Sequence, residues 1–223
     1  MRIVYLFISI LFCTACQNQT KKESQENPYK NILILGNSIV AHDPAPEIGW
    51  NCDWGMAASA RDKDFVHLLN DRFHAIDSNI HVVWQNISVY ENNYETYDLT
   101  LLHNYRNADM IIIKISENVK YEPGMDVGFI ESYNNLLHYL APSDSVVKII
   151  VEGFWPTPVN DMIRNYAKKN NYPFVPLADL FENDKSNAAI GLFEHEGVAN
   201  HPSDKGMHNI ASRIWEVVAD YFK

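Results

Sequence analysis

The sequence predicts an α/β fold: a three-layer α/β/α sandwich around a central, mostly parallel five-stranded sheet. Two observations predict it. Continuous apolar segments such as "MIIIKI" at 110–115 are typical of strands buried on both faces of a parallel sheet. Segments with apolar residues at helical spacing separate these strands, as the crossovers of a parallel sheet require.

Each predicted element follows from its local pattern. Phe65, Leu69 and Phe73 recur at helical spacing, and Pro142 ends another helical pattern. The strands are predicted at 31–35, 80–85, 110–115, 146–153 and 173–178. The helices are predicted at 62–76, 96–107, 127–140, 159–170 and 204–221. This alternation indicates one domain, from residue 29 to residue 223.

The N-terminus has the pattern of a targeting segment. Arg2 precedes an apolar run at 3–12, which is shorter than the roughly 20 residues of a membrane span. The "CTAC" that follows resembles a bacterial lipoprotein signal, with Cys16 as the lipidated residue. A plain secretory signal and a short anchor helix are the alternatives. We therefore expect a signal peptide at 1–15, a polar flexible tether at 16–28, and an exported protein anchored to a Gram-negative membrane by lipid alone.

The composition excludes some classes of function. The chain of 223 residues is 47% hydrophobic and 21% charged, which is ordinary for a globular domain. Its formal net charge of -10 argues against a nucleic-acid partner, because phosphate binding needs a basic face. Three cysteines cannot build a disulfide framework, and Cys52 is expected to be structural. No cofactor is indicated.

Polar side chains follow the predicted strands, at the edge where parallel sheets place their sites. They offer a serine, a histidine, side-chain amides and carboxylates, which are the groups that acyl transfer requires. The residues after the strands are Ser38, Asn86, Ser88, Ser116, Glu117 and Asn118, and those before the last helix are Glu194, Glu196 and His201. A metal hydrolase is disfavoured, because "HEGVANH" has Ala199 where an H-E-x-x-H motif needs its second histidine.

At these residues the chain resembles the SGNH (GDSL-like) hydrolases. "LILGNSI" is similar to the family's first block, a strand followed by Gly-Asp-Ser, with Asn37 in the aspartate position and Ser38 in the nucleophile position. "HPSDKGMHNIA" is similar to the last block, in which His201 takes the position of the base. The stretch from "GNSI" to "GMAAS" also resembles an exported Bacteroidetes-type subgroup. The resemblance implies a flavodoxin-like sandwich.

The two middle blocks match less closely. "IIIKISENV" is similar to the third block, a strand followed by Gly-x-Asn-Asp, with Asn118 on the asparagine and Ser116 and Val119 replacing its neighbours. The second block aligns best with Ser88 on its glycine. The resemblance implies an oxyanion hole made from the N–H of Ser38, the N–H near Ser88 and the Asn118 amide.

The acid that would orient His201 is where the chain departs from the family pattern. The family usually has an aspartate three residues before the histidine, where this chain has Val198. Glu196 is our first candidate and Glu194 the second; a backbone carbonyl in a Ser–His dyad is the alternative to both. Asp204 is disfavoured because it begins a helix.

The resemblance implies a serine esterase that removes acetyl or other acyl groups from carbohydrate outside the cytoplasm. Trp50 and Trp54 lie in a proline-containing loop and either stack on a sugar ring or pack the loop onto the domain. A lipid esterase or acyltransferase is an alternative enzyme. A degenerate, non-catalytic glycan-binding lipoprotein is the alternative outside enzymes.

Overall fold

The computed structural model describes residues 27–223. The predicted signal peptide, Cys16 and most of the predicted tether therefore lie outside the described residues. The strands are β1 (Asn31–Gly36), β2 (His81–Asn86), β3 (Met110–Lys114), β4 (Val147–Val151) and β5 (Phe174–Val175). They form one sheet in the order β2-β1-β3-β4-β5, and every pairing is parallel.

Helices cover both faces of the sheet. They are α1 (Phe65–Ile76), α2 (Ser88–Asn93), α3 (Asp126–Leu140), α4 (Pro158–Asn170), α5 (Ala178–Asn183), α6 (Glu196–Ala199) and α7 (Asp204–Val218). Within residues 27–223, none of them has both the length and the apolar character needed to cross a membrane.

The alternation of side chains along the strands creates two cores. In β1, Ile32 and Ile34 join the core that contains α1 and α7, whereas Leu33 and Leu35 join the core that contains α3 and α4. All four side chains are at most 2% exposed. Burial on both faces explains why β1 is a continuous apolar run. The predicted three-layer α/β/α sandwich is confirmed.

The structure differs from the predicted elements where the sequence lacks a long apolar face. The segment predicted as a helix at 96–107 is a 3-10 helix, Leu99–Tyr105, with Leu102 as its one buried residue. Helices α2, α5 and α6 have four to six residues each, too few to show helical periodicity. Strand β5 is reduced to two residues at the edge of the sheet.

Candidate active site

Ser38 lies on a tight turn at the carboxyl end of β1. The Asn37 carbonyl accepts hydrogen bonds from the N–H groups of Val40 and Ala41, which closes the turn. Gly36 lets the turn approach β3 closely: a Cβ there would lie 2.4 Å from Val40 Cγ2 and 2.8 Å from the Lys114 carbonyl oxygen. The half-buried Ser38 is thereby held at the edge where the strands end.

His201 lies opposite this serine. His201 precedes α7, which has Ser203 as its N-cap. The backbone N–H of His201 donates to the Val198 carbonyl. The distance from Ser38 Oγ to His201 Nε2 is 2.7 Å, although the two residues are 163 positions apart in the sequence. The fold thus brings the predicted nucleophile and base into direct hydrogen-bond contact.

The other ring nitrogen of His201 faces a backbone carbonyl. Nδ1 lies 2.7 Å from the Gly197 oxygen. Because a carbonyl oxygen can only accept, Nδ1 carries the proton and Nε2 is left to accept the Ser38 hydroxyl. Both Glu196 and Glu194 are exposed, and the contact expected between Glu196 and His201 is not formed. A backbone carbonyl, the alternative to both carboxylates, faces the ring instead. The main chain of α6, at Gly197, lies beside His201 Nδ1, where a carboxylate was expected.

The imidazole of His201 is enclosed. The residue is 8% exposed, and its ring meets that of Trp155 edge to face, with centroids 5.1 Å apart. Burial lowers the pKa of His201 to about 4, although the Gly197 carbonyl and the Glu117 carboxylate act in the opposite direction. At neutral pH the ring is therefore uncharged and able to accept a proton.

Asn118 follows β3 at the same edge and is held by a carboxylate that was not predicted. Its Nδ2 donates to Glu91 Oε2 at 2.7 Å. Asn118 is half-buried, whereas Glu91 is fully buried. One amide hydrogen is thus committed to Glu91, and the second is left for another acceptor.

Asn37 and the backbone N–H of Ser88 already have protein partners. Asn37 is 0% exposed, and its Nδ2 donates to Glu117 Oε2 at 2.9 Å, so it supports the turn from beneath. The backbone N–H of Ser88 donates to Asn86 Oδ1 at 2.8 Å and is therefore occupied. The N–H of Ser38 has no protein acceptor within residues 27–223.

Trp50 and Trp54, which lie in the loop after Ser38, have different surroundings. Trp50 is 2% exposed, and its Nε1 donates to the His42 carbonyl, so it packs the loop onto the domain. Trp54 is half-buried, meets Trp50 edge to face at 6.0 Å, and keeps its place as a predicted contact to the substrate. Asp204 accepts both the N–H and the hydroxyl of Ser59 and does not contact His201.

A buried ion pair lies under the site. Lys114 and Glu117 have fully buried side chains and form a salt bridge. Burial alone would raise the pKa of Glu117, but the Lys114 ammonium and N–H donors outweigh it, and the net pKa is lowered. Within residues 27–223, no three His, Cys, Asp or Glu side chains are grouped as they would be around a metal ion.

Glu91 and Trp155 were not predicted from the sequence. A backbone carbonyl was an expected alternative as the partner of His201, but it was not assigned to Gly197. Trp155 could have been found, because it follows β4 at the same edge as Ser38. Glu91 lies one turn into a short helix, where an acidic residue is ordinarily exposed. A carbonyl has no signature in the sequence.

A parallel α/β/α sandwich with a Ser–His pair at the carboxyl edge of its sheet is an architecture of serine hydrolases. No protein-family model matches the chain, and no curated protein matches its sequence. Solved structures do match, and those described here are esterases or lipolytic proteins of the G-D-S-L family.

Three of them illustrate the likeness. The psychrotrophic esterase EstA from Pseudoalteromonas sp. has a TM-score of 0.54 at 14% identity, covering 86% of this chain and 98% of that one. A G-D-S-L-family lipolytic protein from Veillonella parvula DSM 2008 has a TM-score of 0.52 at 14% identity, covering 85% and 98%. The acetyl xylan esterase AlAXEase has a TM-score of 0.56 at 16% identity, covering 84% and 99%. The chain has the SGNH/GDSL hydrolase fold.

Proposed function

We propose that this protein is a serine esterase in which Ser38 is the nucleophile and His201 the base. The observation that carries the proposal is the 2.7 Å contact between Ser38 Oγ and His201 Nε2. A serine is a weak nucleophile unless a positioned base takes its proton. The Gly197 carbonyl fixes the required tautomer, and the neutral imidazole is ready to accept that proton.

The reaction follows from these positions. Ser38 Oγ attacks the acyl carbon of the ester while His201 Nε2 takes the hydroxyl proton. The tetrahedral intermediate collapses when Nε2 returns that proton to the leaving alcohol, and an acyl-serine remains. Water then attacks the acyl-serine while Nε2 takes one of its protons, and Nε2 passes that proton to Ser38 Oγ as the C–O bond breaks and the acid is released.

The oxyanion of the intermediate needs preorganised donors. The unoccupied Ser38 N–H is one candidate, and the second amide hydrogen of Asn118 is the other. The third donor expected near Ser88 is not available, because that N–H already binds Asn86. The proposed oxyanion hole therefore has two donors from the described residues.

We propose acylated carbohydrate as the substrate class, cleaved outside the cytoplasm. Two observations support it: Trp54, an aromatic residue in the loop after Ser38, is only half-buried, and AlAXEase, which shares the fold, is described as an acetyl xylan esterase. Export and lipid attachment at Cys16 are proposed from the N-terminal sequence pattern alone.

The test is hydrolysis of a short-chain aryl acetate, followed by release of acetate from acetylated xylan. Ser38→Ala should abolish both activities and labelling by a phosphonate ester. Ser145→Ala is the matched control, because Ser145 lies in the loop before β4, at the opposite edge of the sheet from the site. A folded wild-type protein that binds acetylated glycan but neither hydrolyses nor is labelled would instead be the glycan-binding protein. Preference for long-chain acyl lipids over acetylated xylan would favour a lipid esterase.

A further inference from the structure

Glu91 occupies an unusual position beneath the site. It lies on α2, is 0% exposed, and its carboxylate points toward the end of β3. Oε1 accepts from the Ser116 N–H at 2.7 Å and from Asn37 Nδ2 at 3.3 Å. Oε2 accepts from Asn118 Nδ2 at 2.7 Å. One carboxylate thus joins the nucleophile turn to the asparagine that follows β3.

These contacts define the charge state that the site requires. Every hydrogen-bond partner of Glu91 within residues 27–223 is an N–H donor. A carboxylate can accept them all, whereas a neutral carboxylic acid would bring an O–H into a position that offers it no acceptor. The arrangement is therefore built around ionised Glu91.

We propose that Glu91 is a positioning residue that acts through Asn118. By holding one amide hydrogen, Glu91 fixes the rotation of the carboxamide and directs the second hydrogen to the oxyanion above Ser38. The inference rests on the proposed esterase function. It adds a component that neither the sequence pattern nor the Ser–His pair supplies.

The surroundings make this positioning sensitive to pH. Two charged side chains act on Glu91: Glu117, which opposes its ionisation, and Lys114, which favours it. Its other partners, Asn37, Ser116 and Asn118, are neutral. Burial and, after it, Glu117 raise the pKa of Glu91 to about 7, against the hydrogen bonds from Asn118 and Asn37.

Activity and the contribution of Glu91 to stability should consequently change in opposite directions between about pH 5 and pH 8. Ionisation of Glu91 fixes Asn118, so turnover rises as the pH rises through the pKa of Glu91. The difference in the free energy of unfolding between wild type and Glu91→Gln has the reverse trend, because a buried carboxyl group with a raised pKa contributes stability at low pH that is lost as the pH rises. A residue with a purely structural role would not raise one quantity while lowering the other.

The first experiment measures kcat and KM for an aryl acetate across this range in wild type, Glu91→Gln, Asn118→Ala and the double variant. Because Gln offers one acceptor and an unwanted donor, we expect Glu91→Gln to lower kcat by about 10-fold to 100-fold with little change in KM. In Glu91→Gln, the rise in kcat near pH 7 should disappear. In the Asn118→Ala background, Glu91→Gln should have almost no further effect on kcat, since the two residues act as a unit.

The matched control is Glu152→Gln. Glu152 is also a buried carboxylate, 2% exposed, but it accepts from the N–H groups of Leu177 and Ala178, away from Asn118. Glu152→Gln should lower the free energy of unfolding and leave the rise in kcat near pH 7 in place. The Asn118→Ala variant tests the same link from the other side, because it keeps Glu91. The rise in kcat near pH 7 should be absent from this variant as well.

The outcomes separate this inference from the function on which it rests. If the wild type is active but the two substitutions multiply their effects on kcat, or the rise near pH 7 survives in Asn118→Ala, Glu91 does not act through Asn118 and the esterase proposal stands. If the wild type shows no hydrolysis and no labelling of Ser38, the esterase proposal itself is overturned.

Discussion

His201 donates its Nδ1 proton to the main-chain oxygen of Gly197, at a distance of 2.7 Å, where a serine hydrolase commonly has a carboxylate. The carbonyl fixes the imidazole tautomer but carries no formal charge to stabilise the imidazolium that forms during reaction. Glu117 is the anionic group that acts on His201 from within the domain, where it raises the pKa of His201 against the larger effect of burial.

Glu196→Gln should retain wild-type kcat within about twofold at neutral pH, because the Glu196 side chain is exposed and does not bind His201. Steady-state hydrolysis of an aryl acetate measures this. Glu194→Gln is the matched control, since Glu194 is exposed in the same loop. A loss of more than tenfold in Glu196→Gln alone would restore Glu196 as the acid.

Asn118→Ala should lower kcat by on the order of 10² to 10³ with a small change in KM, as expected for loss of a donor used in the transition state. Steady-state kinetics at about pH 8, where Glu91 is ionised, gives both constants. A rise in KM with unchanged kcat would place Asn118 in substrate binding instead.

The wild type should lose stability relative to His201→Gln as the pH falls from about 6.5 to about 4. In this window the unfolded chain binds a proton at His201 that the folded protein does not, because burial holds the pKa of the folded residue near 4. The contribution is fully present above pH 6.5 and amounts to about 3 kcal/mol. Urea unfolding of both proteins at several pH values measures it, and a difference independent of pH would contradict it.

Trp155→Ala should raise the pKa of the His201 ring toward its usual value of about 6.5, because burial is the main cause of its lowered pKa. Trp155→Phe should have a smaller effect, since an aromatic ring still covers the imidazole. An NMR pH titration of the ring protons, assigned with His201→Gln, measures the shift. Equal pKa values in Trp155→Ala and wild type would show that other side chains bury the ring.

Cys16→Ala, expressed in a Gram-negative host, should move from the membrane fraction to the soluble fraction, because lipid attachment is the proposed anchor. Immunoblotting of the separated fractions measures this. Cys52→Ala is the matched control and should remain with the membrane, as Cys52 lies within the folded domain. A Cys16→Ala protein that stays membrane-bound after signal cleavage would contradict the lipoprotein proposal.

The sequence predicted those parts of the molecule that repeat a strong local pattern. The strand before Ser38 is apolar on both faces, and α7 has a clear apolar stripe, so both elements were predicted from their patterns. The roles of Ser38 and His201 were predicted from the family resemblance. The length of α2 and the position of Glu91 did not follow, because a short helix has too few residues to show which side is buried. A backbone carbonyl was an expected alternative to the acid, but Gly197 could not be singled out, because every residue carries the same group.

The contact between Ser38 and His201 spans 163 positions and depends on the loop that leads into α7, which packs against α1. The sheet can be complete while this contact is absent. Any state in which the last helix detaches would keep most of the core of the domain and lose its base. Ester hydrolysis would then depend on whether this one helix is docked. As denaturant is added, activity would be lost at a lower concentration than a spectroscopic signal that averages over the whole chain.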